Sequence, residues 1–199
     1  MYKGIEFREA LIRRDIAYGA VFDPNDVPRL KIIHKLIQLG QVHPMAYLGQ
    51  LDRVYNDQTS VLEPLEVTIT GNKIVNEGLE ALAACMVGER SQMFGMYAIG
   101  TGTTDVSIRD DALDDELSRV DIIDEGGFVI NRGTTCFFSV FFPKTIPNAV
   151  VSETAILDSM DTADDTMLLR TKFPTNEYLT HTKNLDNISV AHVIFSGSV

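Results

Sequence analysis

The sequence is poor in cysteine and has no tryptophan. Its 199 residues include two cysteines, Cys85 and Cys136, in a predicted helix and a predicted strand. Neither lies in a C-x-x-C motif or beside a histidine, which argues against a zinc site or a redox motif. Both are flanked by apolar residues, so the pattern predicts buried, reduced thiols rather than a disulfide.

Basic residues are also scarce. The chain carries 28 acidic and 17 basic residues, a formal net charge of −11. A field of this sign opposes nucleic acid and anionic membrane surfaces, so we expect no specific nucleic-acid binding. This charge would still be compatible with a negatively charged surface that lines a passage for DNA and does not bind it.

Long apolar runs are missing as well. No segment approaches the roughly 20 apolar residues that span a bilayer, and the N-terminus carries charges where a signal peptide would be apolar. We therefore expect no membrane association and a soluble protein made in the cytosol. With 45% hydrophobic residues, the chain is expected to fold around a core.

Motifs for catalysis and for cofactors are lacking too. The four histidines show no metal-ligand spacing, and no serine sits in a G-x-S-x-G setting. The sequence thus predicts neither an enzyme nor a cofactor or metal site, although carboxylates paired in space for glycoside cleavage stay open. Two acidic clusters, at residues 110–116 and 161–165, could attract a cation but lack the calcium-loop pattern. For the first cluster a helix start is favoured.

What is present is a glycine-threonine loop at residues 99–104, which joins two predicted strands. Gly100 and Gly102 resemble a phosphate cradle, but acids follow instead of the lysine that a phosphate loop needs. Residues 112–119 are interpreted as a helical turn that contains Leu113, in which Glu116 and Arg119 can pair across three residues. We expect this pair to act as a structural clasp for the loop.

The pattern of apolar residues differs between two parts of the chain. Residues 1–62 are interpreted as a helical region for docking or oligomerisation, because Leu30, Ile33 and Ile37 recur at helical spacing. Residues 63–199 contain one clear helix, 73–87, which presents Val75, Leu79, Leu82 and Met86 on one side. The rest reads as strands. The fold class expected is α+β, a mainly antiparallel β-sandwich with one packed helix, preceded by the helical region. The strands are predicted at 67–70, 94–99, 119–123, 128–131, 134–142, 150–157, 167–173 and 188–195.

The predicted strand 134–142 has aromatic residues on both faces, since neighbouring side chains point in opposite directions. Phe137 and Phe141 need cover on the face away from the predicted core. The helices of this chain could supply it, or a second subunit could, because aromatic anchors are enriched at interfaces. Phe137, Phe141 and the helical residues Leu30, Ile33 and Ile37 are therefore interface candidates.

Several motifs occur in a fixed order along the chain. They are G-T-G-T-T, A-L-x-x-E-x-x-R, an aromatic-rich strand, M-L-x-R-T-x-F and a final alternating strand, spread over about residues 72–197. The series resembles structural proteins of tailed bacteriophages and archaeal tailed viruses, of the tail-fibre, baseplate and neck type. The chain departs from that pattern at residues 105–111, which are acidic, and at 153–157, which read E-T-A-I-L.

The resemblance implies a non-catalytic structural component of a virion, made in the host cytoplasm. It would assemble as a homo-oligomer and with other virion structural proteins. A capsid decoration or host-receptor-binding surface protein is the alternative, with exposed loops as its binding surface. A virion-associated carbohydrate-active enzyme ranks last.

Overall fold

The computed structural model describes most of the chain as three helices and twelve strands. The helices are α1 Val27–Gln38, α2 Pro44–Tyr55 and α3 Asn76–Met86. The strands are β1 Ile16–Phe22, β2 Glu66–Gly71, β3 Lys73–Ile74, β4 Met96–Gly100, β5 Glu116–Asp121, β6 Phe128–Arg132, β7 Thr135–Phe141, β8 Ala149–Val151, β9 Glu153–Leu157, β10 Met167–Lys172, β11 Leu179–His181 and β12 Asn187–Phe195. The described residues are 16–91, 93–132, 135–142, 145–181 and 187–195.

The strands form two five-stranded antiparallel sheets. Sheet 1 has the order β2-β1-β12-β7-β6, and sheet 2 has the order β3-β10-β9-β4-β5. Strands β8 and β11 make a separate antiparallel pair. The expected α+β class with antiparallel sheets is confirmed.

A hydrophobic cluster contains residues from both sheets. Phe138 and Val140 of β7 belong to it together with Tyr97, Ile156 and Leu169 of sheet 2. All five are buried. This cluster is where the two sheets meet.

The opposite face of sheet 1 is covered by α1 and α2. Phe137 and Phe141 of β7 lie in a second cluster with Leu30 and Ile37 of α1, and Ile33 packs against it half-buried. Complete burial of one such apolar side chain contributes about 1.5–3 kcal/mol. The chain's own helices therefore supply the cover, and the interface prediction for Phe137, Phe141, Leu30 and Ile37 is corrected.

Strand β1 corrects part of the predicted helical region. Ile16–Phe22 pairs with β2 on one side and β12 on the other, inside sheet 1. All seven residues are buried, and a strand buried on both faces shows no polar-apolar alternation that would identify it. The helices of the same region form as expected, with α1 stopped at Gly40, whose φ is +74°. The division between residues 62 and 63 stays a prediction.

Helix α3 packs on sheet 2 by its small residues. Gly78 and Ala81 are its buried positions, and a Cβ on Gly78 would lie 2.2 Å from the backbone oxygen of Leu168 in β10. Leu79, Leu82 and Met86 are exposed, with Met86 at 87%. Of the apolar side that the sequence predicted, Val75 at the start of the helix is buried, whereas Leu79, Leu82 and Met86 face outward.

Two other expectations need correction. The predicted strand 150–157 is divided between β8 and β9, which belong to different sheets. The two cysteines are free, as expected, but Cys85 is exposed on α3 and Cys136 is half-buried.

No helix among the described residues is long and apolar enough to cross a lipid bilayer.

Candidate functional site

The loop that follows strand β4 turns back onto itself before strand β5 begins. We call residues 101–115 the motif loop. Its two ends are joined by a hydrogen bond from Thr101 N to Asp115 O at 2.9 Å. Ser152, between β8 and β9, binds the start of this loop. Its N donates to Gly100 O at 3.0 Å and its Oγ donates to Gly102 O at 2.6 Å.

Glu153 is the centre of the site. It is the first residue of β9, and none of it is exposed to solvent. Its Oε1 accepts hydrogen bonds from Gly102 N and Asp115 N, both at 3.0 Å, and its Oε2 accepts one from Asp114 N at 3.3 Å. Both carboxylate oxygens are thus bound by the backbone of the motif loop.

Arg170 of β10 compensates the charge of Glu153. Its Nε and Nη2 donate to Glu153 Oε2 at 3.0 and 2.6 Å, and it is only 1% exposed. It also contacts Asp110 Oδ2 at 2.7 Å and Asp114 Oδ2 at 2.8 Å. Burial lowers the pKa of Arg170, but its hydrogen bonds with Asp110 and Glu153 outweigh burial and raise it. The guanidinium is therefore held in its charged form.

Asp114 links the arginine to the threonines. Its Oδ2 accepts hydrogen bonds from the N and Oγ1 of Thr104. Burial raises the pKa of Asp114, but the hydrogen bonds from Thr104 and Arg170 outweigh it and lower that pKa. Asp115 makes a similar contact, since Thr101 Oγ1 donates to its Oδ2 at 2.5 Å. We call Glu153, Arg170, Asp110, Asp114 and Gly102 the carboxylate-arginine network.

The two glycines are explained by the close approach of Glu153. A Cβ on Gly102 would lie 2.3 Å from Glu153 Oε1, and one on Gly100 would lie 2.6 Å from Asp115 O. The resemblance to a phosphate cradle thus has a physical basis, because the backbone N–H groups here do bind an anion. That anion is a carboxylate of the same chain.

Glu116 and Arg119 do form an ion pair, at 2.7 Å, but they lie in strand β5 and the predicted helical turn is wrong. In β5 the register skips one residue, since Ile99 pairs with Ser118 and Gly100 with Glu116. Such a bulge places two residues three apart on the same side of a strand. The pair is therefore reachable without a helix.

The Glu116–Arg119 pair holds a different loop from the one expected. Arg119 Nη1 contacts Asp165 Oδ2 at 2.5 Å and donates to Ser159 O at 2.8 Å. These contacts fix residues 158–166, whereas the Gly100–Thr104 loop is held by Glu153 and Arg170. Leu113 is buried in a cluster with Val75, Leu157 and Met167, and it attaches the motif loop to the outer face of sheet 2.

The sequence analysis missed Glu153 and Arg170 as site residues. Each is the single charged residue of a segment rich in apolar residues, V-V-S-E-T-A-I-L at 150–157 and M-L-L-R-T at 167–171. Glutamate and arginine are almost never fully buried unless they are paired. Two opposite charges in two strands with this pattern are the signal that would have identified the network.

The network leaves little room for chemistry. Both Glu153 oxygens accept hydrogen bonds from the chain, and a buried carboxylate engaged in this way cannot serve as a free base. Asp110, Asp114 and Glu116 are engaged by arginines. Within the described ranges, no group of three or more histidine, cysteine, aspartate or glutamate residues is arranged to hold a metal ion.

A second buried polar pair lies beneath α1. His34 is completely buried, with its Nε2 3.4 Å from Ser139 Oγ. Its ring is packed against the rings of Tyr47, Phe128 and Phe141, with the Phe141 centroid 4.4 Å away. The pair is enclosed on sheet 1 and has no surface on which a substrate could bind.

The chain matches no protein-family model, no curated protein and no solved structure. Its function is therefore inferred from the geometry of the network and from the motifs of the sequence.

Proposed function

We propose that this protein is a non-catalytic structural component of a tailed-virus particle, in the tail, baseplate or neck. One observation carries the proposal. The carboxylate-arginine network joins Gly102 of G-T-G-T-T, Asp114 of A-L-x-x-E, Glu153 of E-T-A-I-L and Arg170 of M-L-x-R-T-x-F. Three separate motif segments of the resemblance are thus joined in one buried contact, through Glu153 of a segment that departs from the pattern.

The design of that contact favours a structural role. Its arginine is paired with three carboxylates of the same chain, and the buried oxygens of Glu153 are bound by backbone N–H groups and by Arg170. Active sites instead keep an ionisable group free to act on a substrate. A motif loop that is fastened in this way serves to keep its shape.

The two five-stranded sheets fit a β-sandwich, as the sequence predicted. Residues of β7 and β1 share the central cluster with residues of β4, β9 and β10, as the inner faces of a sandwich do. Particle proteins must keep one shape against repeated neighbours, and we propose that the sandwich is the rigid body that does so.

Assembly would proceed through contacts between copies and with other virion proteins. Exposed apolar residues that could take part include a group on α3 and just after it, where Leu79, Met86, Val87 and Met93 are 52–87% exposed. The net charge of −11 would keep free subunits apart and away from nucleic acid. We propose the virion as the location, after synthesis in the host cytoplasm.

A surface-binding role is the second candidate, supported by the loop 158–166. Two arginines hold it, because Arg90 pairs with Asp158 and Arg119 with Asp165. Met160 at its tip is 54% exposed. An ordered, exposed loop on a rigid scaffold suits capsid decoration or receptor binding.

Purified particles test both candidates. Mass spectrometry of gradient-purified particles should detect the protein at a fixed ratio to the major shell protein, while an abundant host cytosolic protein measured alongside is depleted. Imaging of labelled particles should then show a single spot at one vertex or tail end. Signal over the whole head would support decoration instead, and absence of the protein from the particles would end both proposals.

A further inference from the structure

A cleft lies where the end of α2, the residues around the start of β2 and the turn before β11 meet. Its volume is about 510 Å³, and it is open to solvent. Binding sites for small ligands are clefts of roughly 300–1,000 Å³ with mostly apolar walls and a few polar groups. We call this one the Glu177 cleft, and its lining includes Val54, Tyr55, Asp57, Leu65, Val67 and Glu177.

Glu177 lines the cleft without a positively charged partner. It is half-buried, and its carboxylate accepts hydrogen bonds from two neutral hydroxyl groups, Thr68 Oγ1 at 3.0 Å and Tyr55 Oη at 3.3 Å. No lysine, arginine or histidine in the described part of the chain pairs with it. A carboxylate has about four acceptor positions, so two hydroxyl donors leave about two of them open. Glu153, by contrast, is bound by Arg170 and by three backbone N–H groups.

The fold fixes the position of the Glu177 carboxylate. Glu177 N donates to Pro174 O at 2.8 Å and closes a turn, and Thr180 N donates to Glu66 Oε2 at 2.6 Å, which fastens that turn to β2. Burial and the negative charge of Glu177 raise the pKa of Tyr55, so its hydroxyl stays protonated and donates. The protein itself thus orients the carboxylate, which lowers the entropy cost of binding a ligand.

Asp57 adds a second negative charge to the cleft. It lies just after the end of α2, with φ at +55°, in the left-handed conformation where helices most often have glycine. Residues with a side chain adopt this conformation at a cost, although aspartate tolerates it better than most. The sequence therefore keeps a carboxylate at a position that favours glycine. None of the described residues that line the cleft is basic.

This combination of walls selects a cationic side chain. Two carboxylates and a net charge of −11 oppose any anion, and a neutral ligand would leave the charge of Glu177 uncompensated. A guanidinium suits the site better than an ammonium, because it donates two parallel hydrogen bonds to one carboxylate and stacks on an aromatic ring. The apolar walls at Leu65 and Val67 suit the methylene stem of an arginine.

We propose that the Glu177 cleft binds an arginine side chain of a partner protein. The guanidinium pairs with Glu177 beside the ring of Tyr55, and Asp57 adds to the attraction. This inference goes beyond the proposed structural role and does not depend on it, because the cleft is formed by one chain. It is tested on the purified protein, whether or not that protein occurs in particles.

A titration of the full chain with the capped peptide acetyl-Gly-Arg-Gly-amide tests the site. Amide NMR spectra at about 0.15 M salt should show saturable shifts at Tyr55, Leu65 and Glu177. The same peptide with citrulline, which has the shape of arginine without its charge, should bind at least about tenfold more weakly. A lysine peptide should bind about two- to fivefold more weakly than the arginine peptide, because it cannot form the paired hydrogen bonds.

A pair of matched substitutions separates the cleft from the general negative charge. Glu177→Gln keeps an acceptor for Tyr55 and Thr68 but removes the charge, and it should weaken binding of the arginine peptide about tenfold. Glu80→Gln removes the same charge from an exposed position on α3 and should leave the affinity unchanged. Thermal unfolding of both variants verifies that the fold is intact.

Asp57→Gly distinguishes binding from stability. Glycine fits the positive φ, so the melting temperature should stay equal or rise, while the arginine peptide should bind about two- to fivefold more weakly. A residue that served only to end the helix would change stability without changing the affinity for the peptide.

Several results would overturn the proposal. They are equal binding of the arginine and citrulline peptides, an unchanged affinity in Glu177→Gln, shifts spread over acidic surfaces outside the cleft, and no saturable shift at up to about 10 mM peptide. A lysine peptide that binds as tightly as the arginine peptide would overturn the assignment to arginine.

Discussion

Arg170 is the largest of the fully buried side chains among the described residues, and its charge is balanced by carboxylates alone. We expect Arg170→Met to lower the free energy of unfolding by about 3–5 kcal/mol, because it leaves Glu153 buried without a counter-ion. Chemical denaturation with guanidinium chloride measures the change.

The control for this substitution lies two residues away on the same strand. Lys172 pairs with Asp105, which is almost completely exposed, so Lys172→Met removes an ion pair of the same type without burying a charge. Its effect on unfolding should be much smaller than that of Arg170→Met. Equal effects of the two substitutions would show that Glu153 does not depend on Arg170.

His34 predicts a dependence of stability on pH. Burial lowers the pKa of His34 from 6.5 to about 3; a hydrogen bond with Gly126 opposes this and the charge of Lys31 adds to it. Between pH 6.5 and 3 the unfolded chain therefore binds a proton that the folded protein does not. The contribution of neutral His34 to the free energy of unfolding is fully present above pH 6.5. It decreases as the pH drops, by about 2 kcal/mol at pH 5.

His34→Phe should remove this part of the pH dependence. The free energy of unfolding should fall by about 2 kcal/mol less between pH 7 and pH 5 than in the unmodified protein. His43→Gln, at the start of α2, serves as the control and should retain the full dependence. The same pH dependence with and without His34 would mean that this side chain is not buried when the protein folds.

At the residue scale, sequence reasoning found the loop and missed what binds it. Gly100 and Gly102 were singled out because glycines expose N–H groups, and the acids that follow correctly excluded a phosphate. The bound anion, Glu153, is more than fifty residues further along the chain, and a contact of that kind depends on which strands become neighbours. Spacing predicted the Glu116–Arg119 pair, but not the strand that carries it.

At the scale of single elements, α3 offers a direct test of helix packing. Gly78 is the third residue of the helix, and within a helix alanine is normally favoured over glycine by about 1 kcal/mol. Here a Cβ would meet the Leu168 backbone at 2.2 Å, so we expect Gly78→Ala to destabilise the protein by about 1–3 kcal/mol. Thermal unfolding measures the change.

Gly49 of α2 is the matched control. A Cβ there would meet no atom within 4 Å, so Gly49→Ala should stabilise the protein by about 0.5–1 kcal/mol. Opposite signs at the two glycines are expected. A gain in stability at both positions would mean that α3 does not lie close to β10.

The elements that the sequence did not predict share a physical cause. Strand β1 was missed because both of its faces are covered. Periodicity of apolar and polar residues detects only elements that have one solvent-exposed face. The buried side of helix α3 was predicted wrongly because its leucines were taken as the core side. Gly78 and Ala81 instead permit a closer approach to the sheet. The helices α1 and α2 were found because each has one buried stripe, at Leu30 and Ile37 in α1.

At the scale of the whole molecule, strand β1 ties residues 1–62 to the rest of the chain. A fragment of residues 63–199 would lack the strand between β2 and β12 and the helices that cover Phe137 and Phe141. We therefore expect the fragment to bind a hydrophobic dye and to unfold without a cooperative transition. Circular dichroism and dye fluorescence measure both properties.

Adding a fragment of residues 1–62 provides the control. It should restore a cooperative transition, because β1, α1 and α2 can then occupy their places on sheet 1. Cooperative unfolding of the 63–199 fragment by itself would instead support the predicted division of the chain at residue 62.

The position of β1 also has a consequence for biosynthesis. Ile16–Phe22 leaves the ribosome more than 160 residues before its neighbour Asn187–Phe195 is translated. Until then, the nascent chain presents a strand with one unpaired edge, which is a template for pairing with other nascent chains. Pairing over such a long separation in sequence is also slow. Production of this protein in a folded form should therefore benefit from slow translation and from chaperones that cover the unpaired edge of the strand.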